Sequence, residues 1–147
     1  MKVLVAYDGT LQAKDALRYG LDKVRENGGE VVALHVFDRG MFVDYDAIPG
    51  VEEMARKDAE RHVDEARSLI RESGVRARVI TEDGSPEEEV LNYAMARNVD
   101  ILLCPPKYKS IINGFKKMAA ERGIVISEDS VLDNGSKLKV AVAGRTA

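Results

Sequence analysis

Short apolar, β-branched runs alternate with longer segments of helical period along most of this chain. That alternation restricts the fold more than any single residue does. The first run, KVLVAY (2–7), is continuous rather than alternating, the pattern of a strand buried on both faces. Thr10 stands where a helix would be capped, and Ala13, Leu17, Gly20, Leu21 and Val24 then recur at i, i+4, i+7, i+8 and i+11. NGG (27–29) supplies the stop, and EVVALHVF (30–37) reads as a second strand. A connection at 38–50 is longer than most. Beyond it Ala55, Ala59, Val63, Ala66 and Ile70 predict a second helix ending near Ser73–Gly74, followed by a third strand, VRARVIT (75–81). Ser85 as N-cap, Pro86 at the first helical position and Glu88 two residues on predict a capping box, opening a helix that buries Val90, Leu91, Ala94 and Met95. VDILLC (99–104) is the fourth strand. Ser110 is placed to cap a fourth helix carrying Ile111, Ile112, Phe115, Met118 and Ala119, closed by Gly123, and IVIS (124–127) reads as a short fifth strand. A turn at LDNG (132–135) leads to KLKVAVA (137–143), where Leu138, Val140 and Val142 alternate with Lys137, Lys139 and Ala141, the signature of a half-buried strand near an edge.

The order predicts an α/β fold with a mainly parallel, open, doubly wound sheet, helices on both faces and right-handed crossovers. An extra C-terminal strand follows. Nothing resembles an internal repeat or linker, so residues 1–147 read as a single domain. With 32% charged and 45% hydrophobic residues the composition is that of a globular protein. A net charge of −3 gives no bulk attraction for nucleic acid or an anionic membrane. No apolar run approaches the ~20 residues of a membrane span. MKVLVAYDGT turns polar too soon for a secretory signal, and one cysteine cannot form an internal disulfide. The expectation is a cytoplasmic protein without nucleic-acid or membrane partners.

Several chemistries are excluded by spacing. No two of the 12 glycines are two or three apart, which removes Gly-x-Gly-x-x-Gly. No Gly-Lys pair is present for a P-loop, and Gly-x-Ser-x-Gly is missing. His35, in a strand, and His62, beside an apolar helix stripe, read as packing residues, and Cys104 as a small buried hydrophobe. The acidic run Glu87–Glu89 suits a helix N-terminus rather than a metal. Asp8 has two readings of equal weight: a ligand-facing acid after a buried strand, or a turn residue bonded to local backbone amides. CPPKYKS (104–110) occupies the loop beyond the fourth strand, where parallel α/β sheets hold phosphates. It has two prolines, two lysines and no glycine. Ser110 with the amides of the following helix, aided by Lys107 and Lys109, is the one anion site it could offer.

VLVAYDGT, ALRYGLD, VVALHV and the block GVRARVITEDGSPEEEVLNYAMARNVDILL together resemble the universal stress protein family over about residues 1–127. The resemblance implies a five-stranded sheet in order 3-2-1-4-5, with Asp8 and Cys104 on the two lips of one crevice. It marks Tyr7, Asp8, Gly9, Thr10, Val36, Cys104, Lys107 and Ser110 as the positions that would line a nucleotide. Members that bind ATP carry Gly-x2-Gly-x9-Gly-Ser/Thr after the fourth strand. Here Cys104 and Lys107 replace the paired glycines, and Pro105 and Pro106 bring no amide donors. The resemblance therefore implies a non-enzymatic member without a cofactor, ATP or AMP with Mg²⁺ through an altered loop being the alternative. It also implies a homodimer through the C-terminal strands. The apolar residues Met41, Phe42, Val43, Tyr45 and Ile48 of the long connection suit a lid, an edge cover or an interface.

Overall fold

A computed structural model describes residues 1–38, 48–105, 113–114, 116–117, 130–131 and 137–142, the last two segments through their backbone. The first strand, β1 (Lys2–Ala6), lies inside the sheet because both of its faces are apolar. Val3, Val5 and Tyr7 point into one core cluster, and Leu4 and Ala6 into the other. β1 pairs in parallel with β2 (Glu30–Phe37) on one side and with β4 (Ile101–Cys104) on the other. β2 in turn pairs in parallel with β3 (Ala77–Asp83). Asp100 fixes the start of β4 against β1: its carboxylate accepts from Lys2 N at 2.8 Å, while its own amide donates to Lys2 O at 2.9 Å.

Helix α1 (Leu11–Asn27) buries Ala13, Leu17, Gly20, Leu21 and Val24, the stripe its periodicity predicts, and Ala16 beside it. Gly20 lets it approach closely, since a Cβ there would stand 3.2 Å from Val3 Cγ1 and 3.3 Å from Leu103 Cδ1. Helix α2 (Val51–Ser73) shares this face and buries Val63 and Ala66 fully. Ala55 and Ala59 of the expected stripe are half-buried, because the outer turns of α2 reach past the sheet. Helix α3 (Pro86–Ala96) covers the opposite face with Val90 and Ala94, and Leu91 and Met95 pack more peripherally. Helices on both faces of a parallel sheet confirm the expected class.

Four details differ from the sequence reading. β3 begins two residues later than expected, because Val75 is used in leaving α2: Gly74 is left-handed and Val75 N donates to Ser73 Oγ at 3.1 Å. Ser85 does occupy the N-cap of α3, but its side chain makes no capping bond, so the capping box is not formed. Among the described residues the parallel part of the sheet has four strands, in order 3-2-1-4, not five. The place beside β4 is taken by a C-terminal strand running antiparallel, β6 (Lys137–Val142), with Ile101 opposite Val142 and Cys104 opposite Lys139. The two-residue β5 (Ser130–Val131) pairs with the outer side of β6. The physical reason lies in the pattern: a strand with one apolar face suits an antiparallel place outside the parallel core of the sheet, whereas interior parallel strands are apolar on both faces. The proposed strand at 124–127 and the capping residue Ser110 lie outside the described residues, as do Met41, Phe42, Val43 and Tyr45 of the long connection.

Candidate functional site

The turn after β1 is built from three consecutive residues. Tyr7 still belongs to the sheet, its amide donating to Leu34 O at 3.0 Å. Asp8 Oδ1 then accepts from Thr10 N at 3.0 Å and from Thr10 Oγ1 at 2.6 Å. Thr10 Oγ1 in turn accepts from Ala13 N at 3.2 Å, capping α1 as expected. These bonds to Oδ1 are those of the turn-forming reading of Asp8.

Gly9, between them, has φ +82°. A side chain there would meet the ring of His62 from α2. His62 in turn lies 6.3 Å, ring centre to ring centre, from His35 of β2. His35 is buried, and burial pushes its pKa below the ordinary histidine value, with His62 lowering it further and Asp8 opposing. Tyr7 is 2% exposed, and its hydroxyl has no hydrogen-bond partner among the described residues. Burial, with Glu65 and Asp8 adding to it, pushes the phenol up to about 12. Glu65, one turn beyond His62, pairs with Lys14 of α1, whose ammonium holds the carboxyl below the usual range. The sequence reading gave both histidines packing roles, which they fill. It missed that the His62 ring lies against Gly9, and that Lys14 of α1 pairs with Glu65 of α2. The three-residue spacing of His62 and Glu65 was the available signal.

On the other face, Tyr7, Asp8 and Val36 do come together, with Ala6, Leu34, Pro86 and Val90, around a cavity of only about 20 Å³. Cys104 is separate from it: its thiol is fully buried in the α3-side core with Leu4, Ala6 and Leu34. Lys107, Lys109 and Ser110 lie outside the described residues. A larger groove of about 450 Å³ opens between α2 and the ends of β2 and β3, lined by His35, Phe37, Arg56, Arg67, Thr81 and Asp83 among others. Its main cation is already engaged: Arg56 stacks 4.4 Å from the Phe37 ring centre and contacts Asp83 at 3.1 Å. Among the described residues no group of three His, Cys, Asp or Glu side chains could hold a metal ion. No helix among them is long and apolar enough to cross a membrane.

Comparison with known proteins agrees with this architecture. The model of the universal stress protein family matches residues 1–115. Universal stress protein YxiE of Bacillus subtilis is 26% identical over 127 residues, covering 80% of this chain and 84% of that protein. A universal stress family protein from Burkholderia pseudomallei superposes with a TM-score of 0.60 at 19% identity, over 80% of this chain and 89% of its own. The universal stress protein of Archaeoglobus fulgidus in complex with dAMP gives 0.57 at 18% identity, over 79% and 88%. At these identities the two structures speak for the fold.

Proposed function

The chain belongs to the universal stress protein family, and from that premise we propose that it acts through protein contacts rather than by turning over a nucleotide. The observation that carries this reading is the segment Cys104-Pro105-Pro106-Lys107 at the end of β4. A phosphate loop works by presenting several backbone amides to one anion, and each proline removes one donor and fixes φ near −65°. The described side of the crevice agrees with this reading: Tyr7, Asp8 and Val36 line a cavity of about 20 Å³, and Asp8 Oδ1 is bonded to Thr10.

A second reading has one specific support: the Archaeoglobus fulgidus neighbour was solved with dAMP, and in this chain the Asp8-Gly9-Thr10 turn presents the N-terminus of α1 just beyond the end of β1. In that case ATP or AMP would bind through Lys107, Lys109 and Ser110, with Mg²⁺ held mainly by phosphates and water. Calorimetric titration of ATP and of AMP with Mg²⁺ into the purified chain separates the two. Silence up to about 1 mM nucleotide, a free energy weaker than about −4 kcal/mol, is the expected result. Low-micromolar binding that disappears in both Asp8→Ala and Lys107→Ala would establish the second reading instead.

A further inference from the structure

The β3 margin of the sheet has an outer side left unpaired among the described residues, and the charges of β3 complement their own mirror order. Two hydrogen bonds fix its orientation: Val31 N donates to Arg76 O at 3.1 Å, and Gly84 N donates to Phe37 O at 3.0 Å. In a parallel pair one residue directs both its N–H and its C=O to the same neighbour, and the next residue directs them away. The even-numbered residues from 76 to 84 therefore bond to β2. Ala77, Val79, Thr81 and Asp83 present their backbone groups outward, where no other described strand pairs with them.

We propose that β3 is a self-association edge, at which a second copy of this chain pairs antiparallel over residues 77–83 about a two-fold axis at Ile80. Four constraints select that register. Antiparallel bonding must join outward-facing residues, so odd positions must oppose odd positions. Centring on Ile80 sets Val79 opposite Thr81 and Ala77 opposite Asp83, and it is the register that uses all seven residues of the strand. It also sets Arg78 directly opposite Glu82 of the partner subunit, twice by symmetry. Shifting the axis to Val79 or Thr81 places Arg78 or Glu82 against the apolar Ile80 instead and shortens the overlap.

The charges inside one subunit are unbalanced in the way this pairing would correct. Arg78 is exposed and has no ionic or hydrogen-bond partner among the described residues. Glu82 lies against another acid, Glu89, which raises its pKa first by a shared hydrogen bond and then by burial and repulsion. Arg78 of the partner subunit would bring a cation to that acid pair. Asp83 adds no competing charge, since Arg56 already neutralises it at 3.1 Å. Charges on an edge strand usually oppose association, but they do so when like signs meet, and in this register opposite signs meet. The family resemblance implies pairing through the C-terminal strands. There, however, β5 already occupies the outer side of β6 at Lys137 and Leu138, whereas the outer side of β3 is clear along its length among the described residues. The inference stands apart from the nucleotide question, since none of these residues borders the Asp8 cavity.

Sedimentation velocity on the full chain, across a concentration series, reads the monomer–dimer equilibrium. Arg78→Glu and Glu82→Arg should each weaken the dimer about tenfold or more, because each turns two attractive cross-strand pairs into repulsive ones. The combined swap R78E/E82R should restore it to near the original value. Independently, Ile80→Cys should form a covalent dimer under mild oxidation. Residues at a non-hydrogen-bonded antiparallel pair lie ~4.5 Å apart at Cα, within disulfide range, and the native Cys104 is buried away from the edge. A chain that stays monomeric to about 1 mM overturns the proposal. So does a dimer that neither responds to the single reversals nor cross-links at position 80, which would place the contact elsewhere, as at β6. Should a charge variant lose its circular dichroism, the Ile80→Cys cross-link alone decides, its absence refuting the pairing.

Discussion

Replacing Gly9 by alanine tests the region where turn, helix and histidine pair meet. At φ +82° an L-residue is strained, at a cost of ~1–2 kcal/mol. The added methyl would also overlap His62, lying only 2.5 Å from its Cδ2, and overpacking of this kind costs about 1–3 kcal/mol. Together the loss should be ~2–5 kcal/mol. Measured by urea unfolding, with a slope of ~1–3 kcal/mol per molar, that moves the midpoint down by roughly 1–2 M. The two contributions separate in a double-mutant cycle. In a His62→Ala background the ring is gone, so Gly9→Ala should cost only the backbone share, ~1–2 kcal/mol. A loss below about 0.5 kcal/mol, or the same loss in both backgrounds, would show that Gly9 is not held under His62 as described.

Two other perturbations address the same cluster. Because the His35 pKa is depressed in the fold, the unfolded chain binds its proton first. Stability should therefore fall as pH drops below the ordinary histidine value of 6.5. The loss should be no steeper than ~1.4 kcal/mol per pH unit for one proton, and should end once the folded pKa is passed. Histidine NMR titration placing His35 at or above 6.5 would contradict this. Thr10→Ala removes both the cap on Ala13 N and a donor to Asp8. It should lower thermal or urea stability by about 1–2 kcal/mol, whereas Thr10→Ser, which keeps the hydroxyl, should lose little.

Much of the fold is legible from periodicity alone. The continuous apolar runs around Val3–Ala6 and Val31–Leu34 state that those strands are buried on both faces, as they are. The α1 stripe names every buried residue of that helix except Ala16. These features are local: side-chain direction follows from chain geometry, so one segment's pattern suffices. The missing phosphate glycines are likewise a fact of sequence, independent of any packing. The partner of β4 was not legible, because KLKVAVA states that one face is apolar without stating against which strand, or in which direction, it pairs. Nor could the sequence place His62 over Gly9, since that contact joins residues 53 positions apart (62 − 9). Asp8 shows the division most plainly. Its sequence context allows either a ligand group or a turn former, and only the fold shows its Oδ1 accepting from Thr10. Strand edges follow the same rule. The order Arg78 to Glu82 is written in the sequence, but that it lies on an outer strand, with the backbone groups of its odd residues directed away from β2, is a property of the assembled sheet.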